Sequence, residues 1–163
     1  MGYTTYHRAD QWTEKDKEGW NNALPIIKQI FKKYDGMIQR GYYDELPPEA
    51  NGCHISLNGV GDYGVETFFV KNNIHRGFCK TRRQPYDIVV SEICLVLAAH
   101  CDNFELRSDG WHIVKSGEII ELDGSWNKAM KNVEEYGIKC EIIQESSPGG
   151  DIRIHIEARR ELS

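Results

Sequence analysis

The stretch LNGVGDYGVETFFV, residues 57–70, decides the fold. Its Gly59-Val60-Gly61-Asp62-Tyr63-Gly64 matches the G-x-G-x-x-G of dinucleotide-binding proteins letter for letter. That motif works only where a strand turns into a helix whose N-terminus faces a pyrophosphate. Upstream, CHISLN sets Cys53, Ile55 and Leu57 on one face and His54, Ser56 and Asn58 on the other, the alternation of a half-buried strand. Downstream, VETFFV is β-branched and aromatic, with neither a helix cap nor a 3.6-residue period, and reads as a second strand. The stretch is therefore the loop of an antiparallel hairpin, with glycines supplying positive φ. No nicotinamide, flavin or other cofactor is expected.

Working outward, Thr13 caps a helix with Trp20, Ala23, Leu24, Ile27, Ile30, Phe31 and Tyr34 on its apolar side, interrupted at Pro25. Residues 1–12 read as loosely ordered and 36–52 as a loop-rich connection with exposed tyrosines, Tyr42 and Tyr43. Residues 85–101, PYDIVVSEICLVLAAHC, are apolar almost all round and predict a central helix, with Pro85 at its first position and Asp87 in the first turn complementing the positive helix end. NFELRSDGWHIVKSGEIIEL alternates and breaks at Ser108-Asp109-Gly110 and Ser116-Gly117, giving two or three strands. Ser125 caps a helix carrying Trp126, Ala129, Met130, Val133 and Tyr136, ended by Gly137. IKCEII and DIRIHIEA then flank a Pro-Gly-Gly turn, with Ile152, Ile154, Ile156 and Ala158 on one face of the last strand. The order predicts a single α+β domain over residues 1–163, a mainly antiparallel sheet with helices on one face.

The bulk properties exclude more than they assign. A formal charge of -5 argues against a duplex nucleic-acid partner. No apolar run approaches the ~18 residues of a membrane span, so no membrane partner is expected. The start MGYTTYHRADQW has no apolar signal core, and Tyr6 stands where N-myristoylation wants Ser or Thr, which makes a cytoplasmic location the expectation. Five cysteines, odd in number and without C-x-x-C spacing, predict reduced and mostly buried thiols.

Chemistry concentrates in HRGFCKTRRQPYD, residues 75–87. Arg76, Lys80, Arg82 and Arg83 gather before the N-terminus of the apolar helix, where unsatisfied N–H groups favour an anion and guanidinium forks suit phosphate. Thr81 adds a hydroxyl, Tyr86 a ring to stack on a base, and the hairpin loop could close on the same ligand through Asn58 and Asp62. The expected ligand is a phosphorylated small molecule or nucleotide. The alternative is a phosphodiesterase-like enzyme. His54-Ile55-Ser56 matches the H-x-S/T of the 2H phosphoesterases, with His155 as the second imidazole, although Glu157 stands where the second hydroxyl belongs. A metal site from His54, His155, Glu157 or Asp109 lacks supporting spacing, so none is expected. Cys79 lies between basic residues but reads as packing rather than a nucleophile.

The strings NGVGDYGVETF and FCKTRRQPYDIVV, within residues 58–90, resemble those of small uncharacterised proteins encoded by bacteriophages and some bacteria. The resemblance implies a viral origin, a host-cytoplasmic location and an accessory role. Among such roles are sequestering or cleaving a nucleotide defence signal. A third reading is an inhibitor that occludes a host enzyme through Tyr42 and Tyr43. Antiparallel sheets leave edges to be covered, and a homodimer would cover them.

Overall fold

The computed structural model describes residues 3–115, 121–122 and 124–161. The chain runs β1 (Thr4–Ala9), α1 (Glu14–Lys33), β2 (Ile38–Gln39), β3 (Glu49–Ala50), β4 (His54–Gly59), β5 (Phe68–Lys71), β6 (His75–Lys80), α2 (Asp87–His100), β7 (Glu105–Ser108), β8 (Ile113–Lys115), β9 (Glu121–Leu122), α3 (Trp126–Asn132), β10 (Ile138–Ser146) and β11 (Ile152–Arg160). Every strand pairing among the described residues is antiparallel, and the helices pack among and against the sheets, so the fold is α+β. The break expected at Ser116-Gly117 lies outside the described residues.

The hairpin forms as its alternation requires. β4 pairs β5 with Leu57 opposite Phe68 and Ile55 opposite Val70, all four buried. Between them, residues 61–63 make one 3-10 turn. Gly59 is needed for close approach: a Cβ there would lie 2.4 Å from the carbonyl oxygen of Tyr63 and 2.9 Å from the Tyr86 ring. No βαβ crossover follows the glycines, which removes the dinucleotide reading on structural grounds.

α2 is the centre of the core. Val89, Val90, Ile93, Cys94, Leu95, Val96 and Leu97 are all fully buried, matching a sequence without a polar stripe. α1, α3 and β11 all pack against α2. The α1–α2 approach is close because of Gly19, whose hypothetical Cβ would sit 1.9 Å from the His100 carbonyl oxygen. Glu92, the one acid on this helix besides Asp87, is fully buried and bonded by the Tyr34 hydroxyl and by Lys33 Nζ at 3.2 Å.

α1 begins with a capping box: Thr13 Oγ1 accepts from the Asp16 N–H, and Asp16 Oδ2 accepts from the Thr13 N–H. The helix continues through Pro25, an exposed position where losing one N–H costs no buried partner. Ser125 precedes α3, but it does not cap it; its hydroxyl donates instead to Asp87 Oδ2 at 2.7 Å.

The N-terminal segment corrects a sequence expectation. Residues 1–12 read as loosely ordered, yet β1 is the middle strand of a three-stranded sheet in the order β6-β1-β7. Two neighbours satisfy its backbone groups on both sides, with Tyr6 opposite Phe78 and Arg107, and Arg8 opposite Arg76 and Glu105. Likewise, the loop-rich connection over 36–52 contributes the short strands β2 and β3, which border β4.

Candidate functional site

The β6-β1-β7 sheet divides its side chains by pleat. Inward go Thr5, His7 and Ala9 from β1, with His75, Gly77 and Cys79 from β6; outward go Tyr6 and Arg8, with Arg76 and Phe78. The inner face is packed, with Thr5, His7, Ala9 and Cys79 buried. The outer face carries two aromatic rings that stay in solvent, Tyr6 at 44% and Phe78 at 59% exposure, tilted against each other with centroids 6.5 Å apart.

Guanidinium groups surround that aromatic pair. Arg8 bonds Glu105 through its Nε at 2.9 Å and its terminal nitrogen at 2.7 Å, and approaches Asp10 at 3.4 Å. The Glu105 bond holds the Arg8 pKa above its ordinary value. Arg76 reaches Asp10 at 3.7 Å. Together with Arg107 and Asp109 these residues line a cleft of about 800 Å³ over the sheet. That volume lies within the range of small-molecule sites, about 300–1,000 Å³. Flat rings beside planar cations suit a ligand with both a π-face and an anion.

Beneath the strands lies an unusual pair. His7 is buried with both ring nitrogens unpartnered, its ring 5.2 Å from that of His75 and flanked by Phe68 and Phe104. Burial, followed by the nearby His75, pushes the His7 pKa down to about 3, so the imidazole is neutral at ordinary pH.

The residues expected from sequence fall into two groups. Arg76 and Lys80 lie on β6, with Arg76 in the cleft. Arg82 and Arg83 lie beyond the end of β6 in a tight turn closed by the Gln84 N–H donating to the Thr81 carbonyl, both with left-handed φ, 51° and 58°. Arg83 stacks over the Tyr3 ring at 5.1 Å. Thr81 and Tyr86 are fully buried. Thr81 Oγ1 donates to Asp87 Oδ1 at 2.5 Å, and the Tyr86 hydroxyl donates to the Glu66 carbonyl at 2.7 Å. Asp87 thus places the chain's own carboxylate at the start of α2, and the Tyr86 ring has no open face for a base.

The glycine loop does pack beside Tyr86, so the hairpin and the basic segment are neighbours. Its N–H groups are largely committed: those of Gly59 and Val65 donate to Asn58 Oδ1, Val60 to Met37, Tyr63 to Val60 and Gly64 to Gly61. Asn58 is itself fully buried, and Asp62 is exposed at the loop tip.

The histidines of the phosphodiesterase reading are not brought together on one sheet. His54 lies on β4 and His155 on β11, which belong to different sheets. His54 Nε2 is 2.6 Å from Glu49 Oε1, and the Ser56 hydroxyl donates to the Arg40 carbonyl at 2.9 Å. Among the described residues no cluster of three or more His, Cys, Asp or Glu side chains could hold a metal ion. Cys79 is buried, and its thiol is pushed up to about 12 by burial, the reverse of thiolate activation. In the connection before β3, Tyr43 is 93% exposed and its ring meets that of Tyr42 edge-on.

Sequence reasoning missed Tyr6, Arg8, Phe78, Glu105 and Arg107. The signal was present: TTYHRA alternates, with Thr4, Tyr6 and Arg8 on one side. No helix among the described residues is long and apolar enough to cross a membrane. Compared with protein-family models, with curated proteins and with solved structures, the chain matches none.

Proposed function

We propose that the protein binds, without turning over, a phosphate-bearing nucleotide on the open face of the β6-β1-β7 sheet. The observation that carries this reading is the exposed Tyr6–Phe78 pair set among Arg8, Arg76 and Arg107 in one cleft. A base stacks on the rings, and Arg8 and Arg76 neutralise phosphate. Base–aromatic stacking contributes roughly 1–3 kcal/mol. The paired side chains Arg8 and Arg76 are solvent-exposed, so their present partners cost little to displace. Sequestration of a nucleotide signal, the role implied by the resemblance to phage accessory proteins, is the biological form of this reading.

The test is a titration of purified protein with a nucleotide panel, preceded by native mass spectrometry to identify any small molecule carried through purification. Phe78→Ala, at a half-exposed position, is expected to weaken binding by about tenfold or more while the fold is kept. Arg82→Ala with Arg83→Ala serves as the comparison. Loss of binding in that double variant, with Phe78→Ala unaffected, would return the site to the turn before α2 and sink the sheet-face assignment.

A further inference from the structure

Ion pairing sorts the charged groups of the cleft into two sets. Arg8, Glu105, Asp10 and Arg76 are linked to one another. The side chains of Arg107 and Asp109 make no hydrogen bond or ion pair among the described residues, although both are exposed and both line the cleft. They stand two positions apart on the same side of β7 and its continuation. The Asp109 N–H donates to the Thr4 carbonyl at 3.0 Å, so the ladder extends one residue past Ser108. Two residues of strand span about 6.8 Å. Arg107 is directly opposite Tyr6. A free guanidinium and a free carboxylate are therefore aligned along one border of the aromatic platform.

Resting on the nucleotide reading above, we propose that Arg107 and Asp109 read the base and select guanine. A guanine stacked on Tyr6 and Phe78 directs its polar edge at β7. Its N1–H and N2–H donate to the two oxygens of Asp109, while O6 and N7 accept from the fork of Arg107. Adenine offers the carboxylate only its N6 amino group and presents N1, an acceptor, beside it. Cytosine and uracil have no N7 and engage the pair less completely. The opposite border of the sheet carries Arg76, which leaves the phosphate end of the ligand over β6. Selectivity thus follows from the pattern of donors and acceptors at two side chains, not from the aromatic rings, which accept any base.

Isothermal titration of the full chain with GMP, IMP, AMP and CMP tests this. GMP is expected to bind about tenfold or more tighter than AMP, with IMP, which lacks the N2 amino group, between them. Asp109→Asn is expected to narrow the gap between GMP and AMP, and Asp109→Asn combined with Arg107→Ala to close it. The backbone bonds of Asp109 to Thr4 and His112 do not involve its carboxylate, so the variant keeps the turn. Equal affinity for GMP and AMP, or a preference that survives loss of both side chains, would overturn guanine selection and leave nucleotide binding standing. Binding of none of the four would overturn both.

Discussion

Acidification should destabilise this protein through His7. Its ring is buried between the sheet and Phe68, with no partner on either nitrogen, and its pKa falls from the ordinary 6.5 to about 3. The unfolded chain takes up a proton as pH falls through about 6.5, while the native state resists until about 3. The stabilisation is thus complete above that upper value and is lost as pH falls toward the lower one. The loss is about 2 kcal/mol at pH 5 and approaches about 5 kcal/mol near pH 3. Burial also lowers the pKa of His75 and His100, which adds in the same direction. Urea denaturation across this range, followed by fluorescence of the four tryptophans, measures the slope. His7→Phe keeps a flat ring among Phe68, Phe104 and His75 and replaces two orphaned nitrogens by carbon. The variant should be at least as stable at neutral pH, and its slope between pH 6 and 4 should be shallower by about 1.4 kcal/mol per pH unit. An unchanged slope in a folded His7→Phe protein would refute the reasoning.

Two stability predictions come from the hairpin and the basic turn. Asn58→Ala removes the side chain that accepts from the Gly59 and Val65 N–H groups at 2.7 and 3.1 Å and donates to the Val65 carbonyl and Thr67 hydroxyl. A fall of about 2–4 kcal/mol in urea stability is expected, and a change near zero would mean the loop holds itself. Arg82→Gly relieves a left-handed φ of 51° and should raise stability by about 1 kcal/mol, seen as a higher thermal midpoint. A lower midpoint would show that the Arg82 side chain is held by interactions worth more than the strain.

Local pattern determined much of this fold. The hairpin at residues 57–70, the capping by Thr13, the buried helix α2 and the alternation of β11 each depend on neighbours a few residues apart, where side-chain period and turn chemistry act directly. The basic cluster was legible as composition, but its geometry was not. Thr81 and Tyr86 look like ligand groups in the string, yet Asp87 and Glu66 claim their hydroxyls once α2 is packed. Only the tertiary structure decided that residues 4–9 form a central strand, because both of its partners, β6 and β7, lie about 70 or more residues away in the chain. That pairing sets Tyr6 beside Phe78 and Arg8 beside Arg76, on a face of the sheet that the described residues leave exposed. Periodicity states which side chains share a face; it does not state which face the rest of the chain will cover, since that depends on contacts distant in sequence.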